Sequence, residues 1–304
     1  MEGLAALIAA TLGAGTPLLL AALGLLINER AGVLNLGAEG TMLMAAVAGF
    51  AVALNTNSVA AGLVAGLVVG AGFSLLFAVL AVYLATNQYA TGLALTLFGT
   101  GLSAFVGLPY VGKSLTVDPA PLLPVLSTLP WLGKALFSQH PMVYIAWLLT
   151  ALTAWALTRT RAGLILRAVG ESPESAHALG LRVRLIRTAA IVCGGALCGL
   201  AGAFLSLVYT PLWVEGMVAG RGWIALALTT FATWRPWRVM LGAYLFGSVT
   251  MIQFYLQGQG VEIDSQLLSM LPYVATIVVL VLISSNLAFI RLNMPASLGK
   301  AFKL

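Results

Sequence analysis

Polar residues in this chain fall in short clusters between long apolar runs. The runs, at 3–27, 31–54, 59–85, 90–108, 141–158, 188–208, 222–233, 239–256 and 267–284, are continuous rather than alternating. At a rise of about 1.5 Å per residue, roughly 20 residues cross a hydrocarbon layer about 30 Å thick. The run at 222–233 is too short to cross alone and predicts a short helix continued from a partly inserted or re-entrant piece at 212–221. Backbone groups in lipid are satisfied only inside helices or closed barrels, and barrel strands alternate in polarity. The pattern therefore predicts an all-α polytopic membrane protein of about nine (8–10) transmembrane helices, with 1–304 as a single transmembrane domain.

Composition supports this reading: 61% of residues are hydrophobic and 8% are charged, and mean hydropathy is +1.02. A soluble domain carries about 25% charged residues to face water. The net charge of +6 does not point to nucleic acid, because the basic residues lie between apolar runs rather than along one soluble face. They also set an orientation, since short basic loops stay in the cytoplasm. Placing the 159–187 loop inside puts Arg30, Arg159, Arg161, Arg167, Arg182, Arg184, Arg187, Arg235, Arg238, Arg291, Lys300 and Lys303 there, twelve of the fifteen Lys and Arg residues. The expectation is an N-terminus outside, a C-terminus in the cytoplasm, and an external, proline-rich loop at 109–140. The apolar stretch from Gly3 to Ile27 follows no Lys or Arg and exceeds a usual signal core, so it predicts a retained span.

Gly62, Gly66 and Gly70 form one small-residue stripe and Gly195 with Gly199 another, both suited to close helix packing. Cys193 and Cys198, five apart in one run, point to different faces and predict neither a disulfide nor a metal site. The string GLPYVGKS, with Gly107, Gly112, Lys113 and Ser114, matches the phosphate-binding G-x-x-x-x-G-K-[ST] pattern. That chemistry needs a strand before the loop and a helix after it. Here a membrane helix precedes the loop and prolines follow, so the match is rejected.

Two regions carry candidate chemistry. In the 159–187 loop, residues 161–169 predict a helix stopped by Gly170. A second helix of about eight residues follows: Ser172 is its N-cap, Pro173 its first position, Glu174 sits at its positive end, and Gly180 is its C′ stop. This is either a rigid peg on the cytoplasmic face or an interfacial helix anchored on lipid headgroups by Arg182, Arg184 and Arg187.

The string RAVGESPESAHALGLRVRLIR, with NERAGVLNLGAEGTMLMAA at 28–46 and GRGWIALAL at 220–228, resembles the permease subunits of binding-protein-dependent ABC importers. The resemblance is to the ribose, simple-sugar and nucleoside branch, and to the shorter permease of nucleoside uptake systems most of all. It implies a vitamin-B12-importer-like permease fold with about ten spans, and a place in the bacterial inner membrane. It also implies a heterodimer with a second permease, a two-domain ATPase on the cytoplasmic side that uses the ATP, and an external substrate-binding protein or lipoprotein. No cofactor and no catalytic residue are expected on this chain itself. ATPase coupling would fall to Glu171, Ser172, Pro173, Glu174, Ser175, Ala176 and Gly180.

Short or glycine-broken spans in both halves of a transporter point to the path. The segments 31–54 and 209–233 fit. Path candidates in the first are Asn35, Gly37, Glu39 and Gly40; Asn35 and Glu39, four apart, suit one helix face. Glu39 is the one acid that this pattern places well within an apolar run, as a path residue or as a device that steadies a half-helix at 40–54. Trp223, Gln253 and Tyr255 could stack on or hydrogen-bond a ring-bearing solute, or simply pack. The expected solute is a small polar molecule, a nucleoside or nucleobase first and a simple sugar or flavin second. An ion-coupled transporter or channel is the rival class, but ion coupling usually needs several ionisable groups at the midplane.

Overall fold

A computed structural model of the chain describes residues 2–116, 136–258 and 293–302, with isolated positions at 270, 271, 274, 277, 278 and 281. The elements are α1 (Glu2–Arg30), α2 (Ala38–Thr56), α3 (Val59–Ala78), α4 (Gln88–Gly107), α5 (Pro141–Arg159), α6 (Arg161–Glu171), α7 (Pro173–Ala178), α8 (Val183–Phe204), α9 (Arg221–Phe231) and α10 (Pro236–Gly258). π-helical turns at Val79–Tyr83 and Leu205–Tyr209 extend α3 and α8, and no strand occurs among the described residues.

Among the described residues, seven helices are long and apolar enough to cross a membrane: α1 to α5, α8 and α10. The expected count of nine differs for two reasons. The run at 222–233 is only the eleven-residue α9, and the 212–221 piece thought to continue it lies in a helix-free connection from Thr210 to Gly220. The 267–284 run falls outside the described residues apart from isolated positions.

The helices α1 and α8 form the centre. Leu19, Leu20, Leu23, Leu25 and Leu26 of α1 are fully buried, as expected of a helix that is apolar all round. Helix α8 packs on α1, α2 and α3, and α1 also meets α9 and α10. The two small-residue stripes meet face to face: a Cβ on Gly199 would touch the Gly70 Cα at 2.9 Å, so only glycines allow this approach of α3 to α8. Val64, Leu97, Phe105, Leu148 and Leu241 point outward, a surface for lipid rather than water. Cys198 is buried, its thiol directed at the Ala21 carbonyl, while Cys193 lies on the exposed side of α8.

The GLPYVGKS string begins at the end of a helix, α4, and runs into a 3-10 turn at Leu108–Tyr110. Gly107 packs against the buried Trp213 indole, where a Cβ would overlap the ring. A loop with no strand before it has no amide cradle aimed at a phosphate.

Candidate functional site

The two glycine-broken segments come together. After α1 the chain turns at Gly32 (φ +80°) and runs without helix to the start of α2. There Asn35 Oδ1 accepts from the Gly37 N–H at 2.8 Å, and Leu36 O accepts from Thr96 Oγ1 of α4 at 2.8 Å. Gly40 lies directly against α4, where a Cβ would come within 2.7 Å of the Leu95 carbonyl. Asn35 thus precedes the helix and holds its entry, instead of sharing a helix face with Glu39. The half-helix start expected at residue 40 lies at Ala38.

Glu39 points across to the second segment. Its Oε1 accepts from the Gly220 N–H at 2.8 Å and its Oε2 from the Gly222 N–H at 2.7 Å. These are orphan donors of the α9 N-terminus, so one carboxylate anchors a helix start 181 residues away in sequence. The approach requires Gly222, whose Cβ would lie 2.6 Å from the Glu39 backbone nitrogen. Arg221 hydrogen-bonds the carbonyls of Met217 and Val218. Trp223 follows with its side chain 38% exposed. Gln253 and Tyr255, two residues apart on α10, divide between the inside and the outside: Gln253 is buried and Tyr255 exposed.

Glu29 was missed because the apolar run appeared to end at Ile27, whereas α1 continues to Arg30. Glu29 is buried, and its carboxylate accepts from Thr229 Oγ1 and Trp234 Nε1. Glu39 is therefore not the one acid inside the apolar segments. Both acids tie the N-terminal part of the chain to the two ends of α9, through groups whose spacing in sequence gave no signal.

In the 159–187 loop, α6 runs through Gly170 to Glu171. Gly170 does not stop the helix: it is the point of close approach to α1, where a Cβ would overlap the Arg30 carbonyl. Ser172 caps α7, accepting from the Ser175 N–H at 3.3 Å, with Pro173 in the first turn and Gly180 at φ +82°. The helix spans six residues rather than eight. Pro173 and Ala176 face inward and Ala176 packs with Val169, Val183 and Phe302, while Glu171, Glu174 and Ser175 are exposed. At the tip, Leu179 is 82% exposed. Sequence alone does not reveal that exposure.

Arg187 is not a lipid anchor. It is buried, and its guanidinium donates to Ala31 O, Lys300 O and Ser297 Oγ at 3.2, 3.1 and 3.0 Å. Ser297 in turn donates to Gly170 O at 2.6 Å. Residues 295–302 are thereby strapped beneath α6 and α7, with the Phe302 ring against His177.

Residues 7–284 match the family described as the branched-chain amino acid transport system permease component. A protein of Haloferax volcanii, provisionally named a glucose ABC transporter permease, is 40% identical over 99% of this chain and 98% of its own length. A nucleoside ABC transporter permease of Lactococcus lactis is 34% identical over 88% of each chain. A guanosine ABC transporter permease of Bacillus subtilis is 31% identical over 91% of each. No solved structure matches.

Proposed function

The chain belongs to the permease-component family of ABC transporters, a membrane-embedded, non-enzymatic subunit, and on that premise we propose that its solute is a nucleoside. As an ABC permease it works with a partner ATPase and a substrate-binding protein. The finer arrangement is also proposed: one permease domain with its N-terminus outside, a second permease beside it, and a vitamin-B12-importer-like arrangement of spans. ATP is used by the partner, and no cofactor sits on this chain.

The observation that carries the solute reading is the junction of α2 and α9. Both Glu39 oxygens are engaged by backbone amides and Arg221 is held on loop carbonyls. A path through that junction offers polar backbone beside a carboxylate whose two oxygens are already engaged, which suits a neutral, hydrogen-bonding solute. The half-exposed Trp223 indole adds a flat surface on which a base can stack. The likeness to nucleoside and guanosine permeases agrees. The glucose permease likeness favours a second reading, a simple sugar, which is also neutral and polar.

Uptake of radiolabelled guanosine and glucose by cells carrying the complete transporter, in a host lacking both activities, distinguishes the two. Guanosine uptake that falls severalfold in Trp223→Ala, with the complex still assembled, is the expected result. Glucose uptake without guanosine uptake would replace the nucleoside reading.

We propose that the 159–187 loop couples to the ATPase through α7, with Leu179 as the side chain that enters the partner's surface. We propose too that the 109–140 loop, of which residues 117–135 lie outside the described residues, faces the external binding protein.

A further inference from the structure

A cavity of about 720 Å³ lies between α1, α5, α6 and the turn from α9 to α10. Arg30 and Arg159, at the ends of α1 and α5, Arg167 from the middle of α6 and Arg235 from the turn line it, with Trp155 and Trp237 on its wall. These four arginines, from positions 30 to 235, line one cavity, which no local charge pattern requires. Arg167 and Arg235 are the like charges that bear on Arg30, and among the described residues the Glu171 carboxylate bears on it in the opposite sense. That carboxylate opens on the neighbouring smaller cavity rather than this one. Two donors of Arg30 reach the carbonyls of Trp234 and Asn293, and its buried Nε has no hydrogen-bond partner among the described residues. Like charges gathered around one cavity, with a buried donor left over, are stabilised by an anion.

We propose that this cavity binds the phosphate headgroup of an anionic membrane lipid. Guanidinium forks match phosphate oxygens, and basic pockets between spans at a membrane face hold such headgroups. The position favours a lipid over a soluble phosphate. Arg159 ends one span and Arg30 another, so the cavity lies at the level where headgroups sit. Trp155 and Trp237 are 59% and 52% exposed, the interfacial placement of amphipathic rings. The acyl chains would then run along the apolar outer faces of α5 and α10. The site is separate from the Glu39 junction and from α7.

The test uses the assembled transporter in detergent, with native mass spectrometry of added dioleoyl phosphatidylglycerol or phosphatidylcholine. Phosphatidylglycerol should bind at least about tenfold more tightly than phosphatidylcholine, and the double variant R159Q/R167Q should lose that preference while binding phosphatidylcholine unchanged. Equal binding of the two lipids, or a preference that survives in the variant, overturns the proposal. Displacement of phosphatidylglycerol by millimolar inorganic phosphate would reassign the cavity to a soluble anion and overturn the lipid source. If the variant does not assemble, a photoactivatable phosphatidylglycerol on the unaltered complex decides. Cross-links within 151–159 and 234–237 support the site, and cross-links only elsewhere remove it.

Discussion

At the scale of single residues, Glu39 behaves as a structural acceptor with two donors to satisfy. Glu39→Gln keeps the shape but replaces one acceptor oxygen by an NH2 group that faces an N–H. The variant should lose about 1–3 kcal/mol of stability, read as a lower thermal midpoint of the purified complex, with transport per folded complex reduced only if the junction also contacts solute. His140 offers a pH readout outside the spans. Its Nδ1 accepts from the Met142 N–H at the start of α5, and burial pushes its pKa below the ordinary 6.5. The unfolded chain then takes up the proton more readily. This contribution is complete above 6.5 and is lost as pH falls through the lowered folded value. The thermal midpoint should drop further between pH 7.5 and 5 in the parent protein than in His140→Asn, whose side chain still caps; equal drops would exclude His140 as the cause. Glu39 was legible as a lone acid in an apolar run, but its partners were not, because hydrogen bonds that span 181 residues leave no periodic trace.

At the scale of elements, the caps of α7 were legible because capping is local: Ser172, Pro173 and Gly180 act on neighbours one to three residues away. Gly170 was misjudged for the converse reason, since its need is tertiary contact with Arg30. A six-residue helix has no stability alone, so α7 depends on its caps and on Pro173 and Ala176 beneath it. Ser172→Ala with Gly180→Val removes a cap and forces a β-branched residue to φ +82°. That double variant, and separately Leu179→Ser, should insert normally yet lose most of the stimulation of ATP hydrolysis by loaded binding protein. Full stimulation in both would remove α7 from the coupling role.

For the molecule as a whole, seven of the nine apolar runs coincide, among the described residues, with helices long enough to cross, because hydrophobic thickness sets length, whereas the placement of α9 rests on the Glu29 and Glu39 anchors at its two ends. The basic asymmetry predicts that a cysteine at 174 is shielded in intact cells and one at 215 is labelled by a membrane-impermeant maleimide; the reverse pattern would invert the orientation. The strap formed by Arg187, Ser297 and Gly170 bears on synthesis. Ribosomes add roughly 5–20 residues per second, so Arg187 emerges several seconds before the segment that satisfies its guanidinium. Until then a charged side chain destined for burial stands unmatched beside the half-built 159–187 loop. The hydrogen bonds that hold the 159–187 loop in place are complete only after the segment at 297–302 has been translated, so on the proposed coupling role a prematurely terminated chain would present an unfinished surface to the ATPase.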